Sequence, residues 1–279
     1  MPLSPVRTDD VQGRTLRYSR FGQGLPIVFL HGYPDNLHMW SAVGPLLADS
    51  FEVIAIDWPG MGRSAAWPGG ATPFDMTARL IALLDHWKID RAAVVGIDMG
   101  GQPAAIAAAR HSQRISHVVV SGSLLQFDAR TSWEIDVLRR FQLNQFFLRH
   151  TPRLVFRRAW KTSLPRFHQI DETVVQDFQD CFRENAVRQF IVRMCAGYQG
   201  ALPRLVEEYR RIEVPTLALW GDRDVHFPPI HGVRLGEHVR GSKVTIIEGG
   251  THWLPLQKPA EFAAEVRSFL RGSPITNRQ

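Results

Sequence analysis

The sequence predicts an α/β fold: a mostly parallel central sheet flanked by helices and interrupted by an inserted helical cap. Three observations point there. Up to about residue 124, short apolar runs alternate with amphipathic stretches. From about 125 to 212 the strand pattern fades, and long, Arg-rich and aromatic-rich helical patterns replace it. The alternation then resumes and runs to the C-terminus. A sheet that stops, admits helices and resumes is an α/β core carrying an insertion. The expected division is core 1–124, cap 125–212 and core 213–279.

Taken in order, "TLRYSRFG" (15–22) and "PIVFL" (26–30) read as strands, and "LHMWSAVGPLLA" (37–48) as a helix. "FEVIAID" (51–57) is a strand and "FDMTARLIALLDHW" (74–87) an amphipathic helix. "AAVVGI" (92–97), "GQPAAIAAARH" (101–111) and "ISHVVVSG" (115–122) read as strand, small-residue helix and strand. Apolar runs bounded by Gly or Pro suit strands buried on both faces of a parallel sheet. After the cap, "VPTLALW" (214–220) and "KVTIIEG" (243–249) are strands, and "PAEFAAEVRSFL" (259–270) is a closing helix.

Bulk properties exclude several classes. The 279 residues are 44% hydrophobic and 22% charged, which is ordinary for a soluble globular chain. Two cysteines, Cys181 and Cys195, fit neither a disulfide framework nor a zinc site. "MPLSPVRTDD" lacks the apolar region of a secretory leader, and no run approaches ~18 apolar residues. The expectation is a cytoplasmic protein with free thiols and no membrane partner. The formal charge of +6 is concentrated at Arg149, Arg153, Arg157, Arg158, Lys161 and Arg166, which read as a solvated helix face. No zinc-finger, RNP or basic-zipper pattern supports nucleic-acid binding.

The chemistry centres on "VVGIDMGG" (94–101). A strand, then Gly-x-nucleophile-x-Gly, then a helix is a nucleophile elbow. Gly96 and Gly100 allow strand and helix to approach at the bend, and Asp98 stands at its centre. The backbone N–H groups opening the next helix favour negative charge there. Alone, Gly-x-Asp-x-Gly is equally a turn sequence. Three further stretches add weight: "HGYPD" (31–35) after one strand, "LWGDRDVHFP" (219–228) after another, and "EGGTHWLPLQKPAEF" (248–262) after the last. Of eleven histidines, His252 alone follows a Gly-Gly turn and precedes the closing helix.

These motifs, with "DWPGMGRS" (57–64), resemble the α/β-hydrolase family over nearly the whole chain, in the chain order nucleophile, acid, histidine. The resemblance implies the catalytic set Asp98, His252 and Asp224, with Asp222 shaping the loop. The family's other acid position, after "HVVVSG", holds Ser121 and Ser123 instead. Backbone N–H groups of Tyr33 and Met99 would form the oxyanion hole. Asp57, Gly60, Gly62 and Ser64 are expected to be structural.

A carboxylate nucleophile suits displacement at sp³ carbon better than acyl transfer, since an anhydride would be reactive. The sequence therefore resembles the epoxide hydrolase and haloalkane dehalogenase branch. The implied function is cofactor-independent hydrolysis through an alkyl ester on Asp98, with epoxides on hydrophobic small molecules as first expectation. Haloalkane or haloacid dehalogenation is the enzymatic alternative. There the family places a Trp after the nucleophile and an Asn in the His-Gly-x-Pro turn, or arginines near the nucleophile. This chain has Met99, Tyr33 and Gln102 at those positions. A non-catalytic binding protein on a decayed serine-hydrolase scaffold is the third reading.

Epoxide opening needs an acid for the alkoxide, in this branch usually two cap tyrosines. Tyr198 matches one; Phe141 stands near where the other is expected, and phenylalanine has no donor. Gln142 or His150 substitutes, one tyrosine suffices, or the substrate is another class. Tyr198, Phe141 and Trp40 are the candidate substrate and leaving-group contacts. The cap aromatics imply an apolar pocket between cap and core, with an acidic substrate group accommodated if the arginines face inward. A monomer or homodimer is expected.

Overall fold

The computed structural model describes residues 1–164 and 170–272; the side chain of Phe141 also lies outside the described set, as does Arg166. Eight strands form one sheet: β1 (Val6–Asp10), β2 (Thr15–Gly22), β3 (Leu25–Leu30), β4 (Phe51–Ile56), β5 (Ala92–Ile97), β6 (Ile115–Ser121), β7 (Thr216–Gly221) and β8 (Lys243–Ile247). Their spatial order is β1-β2-β4-β3-β5-β6-β7-β8. β2 runs antiparallel to β1 and β4, and the pairs from β4 through β8 are parallel.

The central strands are apolar because helices cover both faces. β5 and β6 are buried at every position, so the continuous runs in "AAVVGI" and "ISHVVVS" replace the alternation of a one-sided sheet. The helices are α1 (Gly44–Leu47), α2 (Pro73–His86), α3 (Gly101–Arg110), α9 (Ile230–His238), α10 (Leu254–Gln257) and α11 (Pro259–Gly272). α2 starts at a reciprocal capping box between Thr72 and Asp75, with Pro73 in the first turn. α3 buries Ala104, Ala105, Ile106, Ala107 and Ala108 completely, so its small side chains let it lie close to the sheet. α11 presents Phe262, Val266 and Phe269 inward at helical spacing.

The helix expected over 37–48 is broken. A single 3-10 turn, Leu37–Trp40, is capped by the Asn36 side chain, and α1 begins again only at Gly44-Pro45. Proline cannot donate the hydrogen bond that a continuous helix would require. β1 and α9 had no clear sequence pattern. β1 is a mostly exposed edge strand, too polar to display alternation.

Between β6 and β7 the chain folds as α4 (Trp133–Arg139), α5 (Phe141–His150), α6 (Pro152–Ser163), α7 (Glu172–Arg183) and α8 (Asn185–Tyr209). α8 turns Phe190, Met194, Tyr198, Leu202, Leu205 and Tyr209 inward, a stripe at i, i+4 and i, i+3 spacing. Asp177 of α7 ties this insertion to the sheet side. Its Oδ2 accepts from Arg17 (2.8 Å) and Asn36 (2.7 Å), and its Oδ1 from Arg63 (2.8 Å). Burial alone would raise its pKa, but the two guanidinium groups outweigh that and hold it below the ordinary carboxylate range. Arg149, Arg153, Arg157, Arg158 and Lys161 are exposed, as a solvated face requires. No helix among the described residues is long and apolar enough to cross a membrane.

Candidate active site

The parallel strands place their C-terminal ends along one edge of the sheet, where open α/β sheets carry their sites. Leu30 pairs with Gly96, Gly96 with Val120, and Gly221 with Ile247. The loops leaving these ends carry Tyr33, Asp98, Asp224 and His252.

Asp98 occupies the turn between β5 and α3 with φ +51°, a left-handed conformation that costs an L-residue about 1–3 kcal/mol. The turn is held by its surroundings: Asp98 N–H donates to Gly122 O (3.1 Å), and Ser123 Oγ donates to Asp98 O (2.6 Å). So the serine in the place of the alternative acid supports the backbone of the bend. Gly32 passes against the Asp98 side chain so closely that any Cβ there would collide with it. This explains glycine in "HGYPD".

His252 lies between two carboxylates. Its Nε2 is 3.3 Å from Asp98 Oδ2 and its Nδ1 3.0 Å from Asp224 Oδ2. All three residues are buried. Asp224 Oδ1 accepts the backbone N–H groups of His226 (2.9 Å) and Phe227 (3.0 Å), fixing the carboxylate. Asp222, its sequence competitor, is exposed. Burial would depress the His252 pKa, but the charge and hydrogen bond of Asp224, with those of Asp98, outweigh it and raise the pKa to about 10. The imidazole is thus charged at neutral pH. Met99 N–H donates to Asp98 Oδ1 (2.5 Å), so the two carboxylate oxygens face different partners.

Sequence reasoning missed His226. It packs edge-on against the His252 ring at 5.1 Å and contacts Ser132 Oγ (2.9 Å) and Thr162 Oγ1 (2.8 Å), both on the insertion side. Burial, and then the charge of His252, lower its pKa to about 4. It is a neutral ring. Its position two residues after Asp224 was the available clue.

The site opens on two lobes of space, about 250 and 50 Å³, that share part of their lining. Tyr33, Asp98, Ile135 and Leu138 line both. His252 and His226 face the larger lobe, walled by Leu148, Leu154 and Val155. Tyr198 and Met99 face the smaller.

Several expected contacts are corrected. Trp40 is fully buried against Phe29 (4.8 Å) and Phe262 (6.0 Å) and lines neither lobe, because the 3-10 turn aims it into the core. Tyr198 reaches the elbow, but its hydroxyl donates to Met99 O (2.8 Å) rather than into the cavity. Gln142 and His150 are exposed and line neither lobe. Phe141 opens α5 with a side chain outside the described set. Arg158 does line the larger lobe, yet its guanidinium pairs with Glu134 (2.7 Å). "DWPGMGRS" is scaffolding: Asp57 accepts from the N–H groups of Leu37 (2.8 Å) and Arg63 (2.8 Å), and Ser64 Oγ donates to Asp57 O (2.9 Å).

Residues 26–259 match the family described as the alpha/beta hydrolase fold, and the chain belongs to that family. It is 24% identical to an uncharacterised hydrolase of Bacillus subtilis, covering 96% of this chain and 99% of the relative. It is 25% identical to epoxide hydrolase 3 of Xenopus tropicalis, covering 90% of this chain and 73% of the relative. Among solved structures, a thermophilic esterase from Thermogutta terrifontis superposes with a TM-score of 0.79 at 24% identity, covering 96% of this chain and 97% of the esterase.

Proposed function

We propose that this member of the alpha/beta hydrolase fold family is a cofactor-independent hydrolase that opens epoxides on hydrophobic small molecules through an alkyl ester on Asp98. The observation that carries the reading is His252, 3.3 Å from a carboxylate at the elbow and 3.0 Å from a second one behind it. Where a serine would need a base to remove its proton, Asp98 is already a nucleophile. The base is needed for water.

Asp98 Oδ2 attacks a ring carbon, and the ring C–O bond breaks with its electron pair going to oxygen, which takes a proton. The ester carries no charge. One of the two carboxylates that raised the His252 pKa is then gone, so the imidazolium releases its Nε2 proton to solvent, regains one once the Asp98 carboxylate is restored, and in between is a neutral, competent base. His252 Nε2 removes a proton from water, and hydroxide adds to Asp98 Cγ. The oxyanion develops on the oxygen facing Met99 N–H, with Tyr33 N–H as the expected second donor. Losing one such donor costs ~10²–10³ in rate. The intermediate expels the diol, which takes the proton from His252. The cavity's apolar walls support a hydrophobic substrate, and similarity to an epoxide hydrolase adds a family precedent.

Dehalogenation has less support here, because Trp40 lies in the core and the Gln102 amide donates to Leu124 O (2.6 Å). Multiple turnover of an aryl and alkyl epoxide panel in ¹⁸O-water tests the reading. Label is expected in the Asp98 carboxylate, and His252→Gln is expected to accumulate the ester as a mass adduct. Unlabelled Asp98 and no adduct across epoxides would overturn it, and halide release from haloalkanes alone would redirect it to dehalogenation.

A further inference from the structure

Epoxide opening requires an acid, and the geometry leaves Tyr198 a poor one, because its proton is directed at the Met99 carbonyl. The Tyr209 hydroxyl is likewise directed at Leu125 O (3.1 Å), and Tyr18 packs on Trp87 and lines neither lobe. Of the four tyrosines, Tyr33 differs. Its hydroxyl is buried and has no hydrogen-bond partner among the described residues. A buried polar atom left without a partner costs about 1–3 kcal/mol, so its presence calls for a reason.

The position of Tyr33 supplies one. Tyr33 lines both lobes, as Asp98 does. Its ring packs edge-on against Phe182 at 5.9 Å, which limits its rotation. Three other polar residues that line the cavity are engaged: His226 by Ser132 and Thr162, Arg158 by Glu134, and Arg139 by Gln199 and Phe127 O. Burial first, with the nearby Asp98 carboxyl adding to it, pushes the Tyr33 pKa well above that of a free phenol, so the group stays protonated while it waits.

Resting on the proposed ester mechanism, we infer that the Tyr33 hydroxyl is the acid that protonates the epoxide oxygen as Asp98 attacks, so that the leaving-group donor sits on the core rather than on the helical insertion. The ring C–O pair goes to oxygen, the Tyr33 proton goes to that oxygen, and the negative charge passes from Asp98 to the phenolate. When water has cleaved the ester, Asp98 is left as the carboxylic acid, and its proton returns to Tyr33. Epoxide and water have become diol, and both groups are reset. One turn thus serves both steps, through its side chain in the first and its backbone N–H in the second.

The test is adduct formation from styrene oxide, read by intact mass in a His252→Gln background, with and without Tyr33→Phe. Loss of the hydroxyl is expected to slow adduct formation ~10²–10⁴-fold, the usual worth of a general acid. Adduct formation at the unaltered rate would overturn the inference and leave the ester mechanism standing. No adduct in His252→Gln alone would sink the mechanism, and the inference with it. Thermal unfolding of Tyr33→Phe separates a structural role. A hydroxyl without a partner should leave the midpoint unchanged or higher on removal, whereas a fall would mark it as a structural bond and count against the acid role.

Discussion

The sheet side of the cavity and the helical side above it are built on different principles. On the sheet side, Asp98, His252 and Asp224 are buried, fixed at strand ends and joined to each other by hydrogen bonds or charge contacts. The helical side contributes aliphatic surface: Ile135 and Leu138 from α4, Leu148 from α5, Leu154 and Val155 from α6. Reacting groups need positions held within fractions of an ångström, and a sheet edge supplies them. Selection among apolar substrates needs only shape, which helices can vary without touching the chemistry. The teaching of the contrast is that substitutions on the two sides should fail in different parameters, kcat below and KM above.

The largest effect should come from Asp98→Asn. The amide cannot attack carbon, and a fall of at least ~10⁴-fold in kcat is expected, measured on the best epoxide of the panel. Retained turnover would break the contrast at its root. Asp224→Asn should follow, at about 10³–10⁴-fold, because it removes the charge that orients and sustains His252. The same pair carries a pH dependence. The His252 pKa is raised from 6.5 to about 10 in the folded state, so the ion pairs it makes stabilise fully below about pH 6.5. That contribution is lost as pH rises toward about 10. Comparing unfolding free energies of the parent and His252→Gln should show the gap narrowing over that window; a gap that widened with pH would contradict it.

The two sides also differed in how much the sequence disclosed. Asp98, Asp224 and His252 were legible because a strand end, a glycine bend and a helix start each impose residue types at fixed spacing. The insertion obeys no such rule. Its helices were legible as amphipathic stretches, but which aromatic or tyrosine faces the cavity depends on packing angles that no local pattern encodes. Tyr198 was expected to donate its phenolic proton to the leaving group, and instead its hydroxyl turns to Met99 O. Trp40 shows the same limit within the core: a proline five residues later breaks the helix, and the indole points inward.

The two sides meet at Asp177, and substitution there probes how firmly. Asp177→Ala strips one acceptor from Arg17, Arg63 and Asn36, leaving the Arg17 guanidinium, itself buried, with Asp57 as its remaining charged partner (3.3 Å). A loss of about 2–4 kcal/mol in unfolding free energy is expected, less than for a fully buried pair because Asp177 keeps some solvent. With Asp177 gone, limited proteolysis should cut α6 or α7 before it cuts the sheet. Simultaneous cleavage would mean that the two sides unfold as one unit.

The smallest expected effect is the sharpest test of the division of labour. Leu138 faces both lobes from α4 and bonds to none of the reacting groups. Leu138→Ala removes apolar contact worth roughly 1 kcal/mol to a substrate that fills the space, which is about a fivefold rise in KM. Asp98, His252 and Asp224 keep their anchors on the strand ends, so kcat for a small epoxide should stay within about twofold of the parent. The ratio matters more than either number. A bulkier epoxide should recover part of the lost affinity by entering the new space, while a small one should not. If kcat fell with KM for both, Leu138 would be holding the nucleophile's geometry, and the insertion would be part of the reacting machinery rather than its filter.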